Sequence, residues 1–167
     1  MARGRRSIRL QDYDYSQPGV YFVTICVQQR AWLLGQIEDQ QMVLSPAGHI
    51  VEDAIASIPM SGKHLEIGAV CIMPNHLHLL LNFVEPEHEP GRGGVTPPLR
   101  KRLTLGQVVG RFKYATTKYI NELQATPGAR FWQRNYYERI VRSETEYAAV
   151  YNYIFENPRN WDKDEYR

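Results

Sequence analysis

Apolar and polar residues alternate along this chain in two rhythms, and the switches between them mark out its elements. Residues 20–28, VYFVTICVQ, are β-branched and aromatic nearly throughout, the composition of a strand. Residues 32–37 offer a short second strand. Ser45 and Pro46 then open a helix to about Ile58, with the serine at the N-cap and the proline at the first helical position. Ile50, Val51, Ala54, Ile55 and Ile58 fall on one stripe at helical spacing. Residues 65–73 and 76–84 read as the strands of a hairpin, joined by Pro74-Asn75, residues that suit a turn. A polar loop rich in proline and glycine follows, over 85–98. Thr104 begins a long amphipathic helix with Leu105, Val108, Val109, Phe112, Tyr119, Ile120 and Leu123 as its buried stripe, and Pro127-Gly128 ends it. Residues 131–141 read as an aromatic-rich strand. Ser143 with Glu146 is a capping box for a last helix to about Asn157, which Pro158 stops.

This order predicts an α+β chain: a ferredoxin-like antiparallel β-sheet of four to five strands with helices mainly on one face. The expected organisation is a basic N-terminal arm over 1–18, one domain over 19–161 and a C-terminal tail over 162–167. A length of 167 residues suffices for a hydrophobic core, and 43% hydrophobic with 23% charged residues excludes disorder over the whole chain. Cys26 and Cys71 make neither a disulfide framework nor a metal-binding pair. The basic start lacks a secretory apolar stretch, and no apolar run approaches the roughly 20 residues of a membrane span. A cytoplasmic location and no membrane partner are therefore expected.

Charge changes this picture through its distribution, since the net value is only +2. Arg3, Arg5, Arg6 and Arg9 load the start, Arg100, Lys101 and Arg102 form a second cluster, and Arg111, Lys113 and Lys118 lie on the long helix. Such clusters can neutralise phosphates, and they can equally be solvated surface; charge alone leaves both open.

Two motifs carry chemistry. His76 and His78 stand two apart on a strand, so both side chains leave one face. Leu77, Leu79, Leu81 and Phe83 make the other face apolar, which must meet the helices; the histidines are thus expected on an open surface. Two imidazoles on one face suit a divalent metal, although an isolated pair also fits simple hydrogen bonding. In the last helix Tyr153 and Asn157 are four apart and share a face, while Tyr147, Tyr151 and Ile154 suit packing. A phenol, with an ordinary pKa near 10, becomes an effective nucleophile when a metal polarises the phosphate it attacks, and the Asn157 amide oxygen could complete the metal's coordination.

Together these residues resemble the HUH transposases, named for a His–hydrophobic–His strand paired with a tyrosine on a helix. The chain is most similar to their REP-associated tyrosine transposase group, through YFVTICVQQR, AVCIMPNHLHLLL, GQVVGRFKYATTKYIN and FWQRNYYERIVRSETEYAAVYNYIFENPRNW, about residues 13–161. The resemblance implies His76, His78 and Asn157 as metal ligands, Tyr153 as the catalytic nucleophile, and Mg²⁺ or Mn²⁺ as the metal. Asn157 departs from the glutamine usual in related insertion-sequence enzymes and agrees with the REP-associated group. The implied activity is metal-dependent cutting and transfer of single-stranded DNA through a 5′-phosphotyrosine link, next to a hairpin. The protein would then be nucleoid-associated. Arg5, Arg6, Arg9, Arg100, Lys101, Arg102, Arg111 and Lys113 are the candidate DNA contacts. Tyr13, Tyr15, Trp132 and Tyr136 are candidates for base stacking, with Trp132 assigned to the core instead. A monomer is expected over a dimer, because the 125–130 loop is short. The alternatives are a non-catalytic, domesticated DNA-binding protein on the same fold, and a zinc hydrolase taking a third ligand from His49, His64 or His88. No HExxH spacing supports the latter.

Overall fold

The computed structural model describes residues 14–15, 17–58, 64–85 and 103–167. Its elements in chain order are β1 (Gly19–Cys26), β2 (Gly35–Glu38), β3 (Gln41–Leu44), α1 (Pro46–Ala56), β4 (Leu65–Met73), β5 (His76–Phe83), α2 (Leu105–Gln124), β6 (Tyr137–Val141) and α3 (Glu144–Glu156). Four strands form one antiparallel sheet in the order β4-β5-β1-β6. The two most apolar strands take its centre, where both of their faces can be covered. The result is the α+β, ferredoxin-like class that the element order predicts.

On one face Tyr21, Val23, Ile25, Leu77, Leu79 and Leu81 pack with Val51 and Ile55 of α1 and with Val108, Val109 and Phe112 of α2. Burying each such side chain contributes about 1.5–3 kcal/mol, so this is the principal core. The helices start where the sequence places them. Ser45 Oγ accepts from Gly48 N at 3.1 Å, and Thr104 and Gln107 form a reciprocal capping box. Gly48 is required by packing: a Cβ there would stand 2.2 Å from the Leu34 carbonyl oxygen.

On the other face α3 packs with Val150 and Ile154 over Phe22, Leu80 and Val141. Ser143 caps α3 through Glu146 N, but the Glu146 carboxylate reaches Arg142 N instead of closing the box on Ser143. At Gly68 the β4–β5 register shifts, and a Cβ would meet the Tyr147 hydroxyl at 2.5 Å, so a bare backbone lets α3 lie close to the sheet.

Four expectations need correction. The 32–37 strand begins at Gly35 and pairs with β3, an unanticipated strand, in a separate two-stranded ribbon outside the main sheet. Trp32 instead meets the Trp161 ring edge-on at 5.4 Å. The 131–141 strand is confined to Tyr137–Val141, because Phe131 and Trp132 turn into the core and the Trp132 indole donates to Thr116 Oγ1 at 2.8 Å. The α2 stripe runs through Thr116 and Ile120; Tyr119 and Leu123 are each 55% exposed. Thr116 can be buried because its hydroxyl also bonds the Phe112 carbonyl at 2.8 Å. Lastly, residues 162–167 are no free tail: a 3-10 helix over Pro158–Lys163 returns the chain across the α3 face.

Among the described residues, no helix is long and apolar enough to cross a membrane.

Candidate active site

Strand register builds the floor of the site. Thr24 pairs with His78 on one side and Tyr137 on the other, and Cys71 lies beyond His78. Cross-strand partners share a face, so Tyr137, Thr24, His78 and Cys71 form one row across four strands. Phe22 and Leu80 make the next row, and α3 rests on them. The helix thereby brings Tyr153 over the row: its ring centroid lies 5.2 Å from that of His78 and 6.0 Å from that of Phe22.

The histidines do share this face, but they are not open to solvent; both are 0% exposed. Period-two alternation separates the faces of a strand without saying what covers each. Here α3 and the returning C-terminal segment cover the histidine side. The Tyr166 ring stacks near His76 at 4.8 Å, Asn75 Nδ2 donates to the Tyr166 carbonyl at 2.7 Å, and Arg30 donates to the Glu165 carbonyl at 3.0 Å.

The hydrogen bonds fix where His76 carries its proton. Asn75 Nδ2 is engaged by a carbonyl, so its Oδ1 faces His76 Nδ1, at 2.7 Å. An amide oxygen only accepts, so His76 carries its proton on Nδ1 and presents a bare Nε2. His78 Nδ1 lies 2.9 Å from Thr24 Oγ1, and Thr24 also hydrogen-bonds the Tyr166 phenol. The Thr24 hydroxyl can accept from His78 Nδ1–H or donate to Nδ1, and the first of these is the tautomer that frees Nε2 for a metal. The two Nε2 atoms are 3.0 Å apart. Burial pushes His76 down to about 3 and His78 well below the usual imidazole range, with His76 adding to the effect on His78. Both rings are therefore neutral at pH 7, the form that ligates metals.

Oxygen donors stand beside them. Asp164 Oδ2 is 3.8 Å from His76 Nε2, and the carboxylate is 2% exposed. With His76 neutral this contact is not an ion pair. The carboxylate has one hydrogen bond, from Tyr166 N to Oδ1 at 2.6 Å, which is poor compensation for a buried charge. His76, His78 and Asp164 are the one group among the described residues able to hold a metal by three such side chains, with ligand atoms all within 4.8 Å of one another. Asn157 caps α3, with Nδ2 3.5 Å from His78 Nε2 and Oδ1 buried without a partner. A half-turn of the amide would aim that oxygen at the pair. Two facing imidazole nitrogens, a nearly unpartnered carboxylate and an orphaned amide oxygen are a donor set that a divalent cation would satisfy.

Tyr153 is 43% exposed on a cleft of about 490 Å³, lined also by Phe22, Thr24, His78, Tyr137 and Arg139. Burial and the Asp164 charge raise its phenol above the ordinary value, while a hydrogen bond with Asn157 pulls the other way. The chain's own groups thus keep the phenol protonated at neutral pH. Arg139, paired with Glu146 at 2.5 Å, supplies a cation at the mouth.

The fold thus assembles His76, His78, Asn157 and Tyr153 from β5 and α3. It adds four residues that sequence reasoning missed: Thr24, Asn75, Asp164 and Tyr166. Only Asn75 left a local signal, as the neighbour of His76, and there it served only as a turn residue. Arg111 and Lys113 sit on α2, on the opposite side of the sheet. Arg111 is exposed, and Lys113 Nζ is engaged by backbone carbonyls. Arg5, Arg6, Arg9, Arg100, Lys101, Arg102, Tyr13 and His88 lie outside the described residues. Trp132 is in the core, Tyr15 and Tyr136 pack against it, and His49 pairs with Glu52 on α1, away from the site. His64 does not join the metal-binding group either.

No family model matches the chain. It is 37% identical over 171 residues to an uncharacterized protein of Haemophilus influenzae, covering 96% of this chain and 92% of that one. A second protein of that organism, described as "Putative REP-associated tyrosine transposase", is 25% identical over 149 residues, 87% of this chain and 73% of its own length. A solved REP-associated tyrosine transposase bound to a REP hairpin shares the fold, with a TM-score of 0.54 and 18% identity over 96% of this chain and 74% of that one.

Proposed function

The chain belongs among the homologues of the REP-associated tyrosine transposases, and from that premise we propose that it is a metal-dependent single-strand DNA nuclease and strand transferase with Tyr153 as its nucleophile. The observation that carries the reading is the juxtaposition at the α3 face: two neutral imidazoles with their Nε2 atoms 3.0 Å apart, beside a half-exposed phenol on an open cleft. His76 and His78 would hold Mg²⁺ or Mn²⁺, with oxygens from Asn157 and Asp164. When bound, the cation supplies neutralisation of the charge that develops on a phosphate under attack.

The residues of the chain do the rest. Thr24 and Asn75 orient the imidazoles, and Asn75 holds the His76 proton on Nδ1. Arg139 stands at the cleft mouth, paired with Glu146. Tyr153 Oη attacks the phosphorus, a 5′-phosphotyrosine ester forms, the bond to the 3′ oxygen breaks, and that oxygen leaves as a hydroxyl. A second 3′-hydroxyl attacking the ester rejoins a strand and restores the phenol. The substrate we assign is single-stranded DNA beside a hairpin, in keeping with the hairpin bound to the solved homologue. The basic arm with Arg5, Arg6 and Arg9, the Arg100–Arg102 cluster and Arg111 are its proposed phosphate contacts.

The test uses labelled hairpin DNA from the gene's own flanks, with Mn²⁺ or Mg²⁺, and compares the wild type with Tyr153→Phe. A metal-dependent cut with a covalent protein–DNA adduct, both absent in the variant, is expected. Cleavage that survives Tyr153→Phe would move the nucleophile to another group. Binding without cleavage by the wild type would favour a domesticated binding protein.

A further inference from the structure

We propose that a cleft between α2 and the Arg130–Arg134 segment is a second DNA-binding site, which holds an unpaired stretch of the strand that reaches Tyr153. This rests on the reading of the chain as a DNA strand nuclease and adds to it a surface on the α2 side of the sheet. The cleft has a volume of about 650 Å³. Lys118, Arg130 and Arg134 line it with their cationic side chains exposed, and among the described residues no carboxylate does. Glu122, one turn beyond Lys118 on α2, is not part of the lining.

These cations are unspent. Arg139, Arg159 and Arg167 are paired with Glu146, Glu156 and Asp162. Lys118, Arg130 and Arg134 have no ion-pair partner among the described residues. Three like charges held around one concavity repel each other unless an anion joins them.

The cleft is also a built feature. Lys113 Nζ, inside it, donates to the carbonyls of Gln133 at 2.9 Å and Asn135 at 3.1 Å, and lies 3.5 Å from that of Arg134. Burial pushes this ammonium down to about 8, so it stays protonated at neutral pH, the form the carbonyls favour. The tie holds the backbone that carries Arg134 against α2. Lys113 is thus a positioning residue, and the neighbouring cations are left for ligand.

An unpaired strand fits better than a duplex. Tyr114, 74% exposed, lines the cleft with an aromatic ring. Free bases can stack on it, whereas the bases of a duplex are already stacked on each other. The path to the nucleophile is short. Gln133 lines this cleft and Tyr137 lines the cleft of Tyr153. The four residue steps from one to the other span at most about 14 Å. A brief run of unpaired nucleotides passing β6, the terminal strand of the sheet, therefore reaches both.

Fluorescence anisotropy of a labelled oligothymidylate, titrated with the full chain in EDTA, reads this surface without catalysis. Replacing Lys118, Arg130 and Arg134 together by alanine is expected to weaken binding roughly 10–100-fold and to reduce the slope of log K against log salt by about 2, at about 0.7 per phosphate contact. Tyr114→Ala is expected to weaken binding about tenfold with the slope unchanged. All four side chains are exposed, so thermal melting should match the wild type. Unchanged affinity and salt slope in the triple variant would overturn the proposal, whether or not the wild type cleaves DNA. Equal affinity of the wild type for a blunt duplex would also overturn it. Groove-dependent binding by a wild type that never cleaves would sink the nuclease reading and leave this one standing.

Discussion

The two faces of β5 are built from the same strand yet held by different physics. Leu77, Leu79, Leu81 and Phe83 point into the core under α1 and α2, where contact is nondirectional and every methylene counts. His76 and His78 point the other way, into an equally dry place under α3, where each nitrogen has an assigned partner: Asn75, Thr24 or the facing imidazole. The first face stabilises. The second places polar atoms where solvent cannot satisfy them, which is tolerable only if they bond each other or a ligand. Burial by itself therefore does not distinguish a core from a site; the donor and acceptor accounting does.

The sharpest way to separate the faces is to substitute adjacent residues. His78→Ala should abolish metal-dependent cleavage, and EDTA should lower the Tm of the wild type but not of this variant, because a ligand that binds only the native state stabilises it. Leu79→Ala, one position along, should instead cost about 2–5 kcal/mol in urea unfolding and leave cleavage per folded molecule intact. If the two variants behave alike, the division between the faces fails.

A finer cut leaves the imidazoles and removes an orienting partner. Thr24→Val keeps the shape but deprives His78 Nδ1 of its hydroxyl, so activity or Mn²⁺ affinity should fall about 10–100-fold. Calorimetric titration with Mn²⁺ checks it, and an unchanged affinity would remove Thr24 from the site.

The smallest effects distinguish two glycines. Gly68→Ala forces a Cβ against Tyr147 under α3 and should cost about 1–3 kcal/mol, with a loss of cleavage as α3 shifts. Gly110, inside α2, has nothing within 4 Å of its would-be Cβ, so Gly110→Ala should stabilise by about 1 kcal/mol with cleavage unchanged. Paired melting curves and cleavage assays would show whether tightness under α3 serves function beyond stability.

Much of this was legible in the residues. The alternation in LHLLLNF set the apolar side of β5, and Ser45, Thr104 and Ser143 marked three helix starts that the structure keeps. The His76–His78 spacing and the four-residue step from Tyr153 to Asn157 each placed a pair on one face, and the fold brings both pairs together. What failed had a common cause. The histidines were expected in the open, Tyr119 and Leu123 inside, and the last residues free, because each of those states depends on what a distant segment covers. Asp164 illustrates the limit. It stands eighty-six residues from His78, and nothing around it in sequence signals that its carboxylate lies beside the imidazoles.

By itself, the sequence determined which elements form, which face of each is apolar, and which polar residues share a face, because strand and helix periods are local properties of the chain. Only the tertiary structure decided that α3 crosses the histidine side of the sheet, that the C-terminal segment returns to supply Asp164 and Tyr166, and that Lys113 ties a basic cleft together. Those outcomes rest on contacts between segments far apart in the chain, whose meeting depends on chain path and packing and is written in no local pattern.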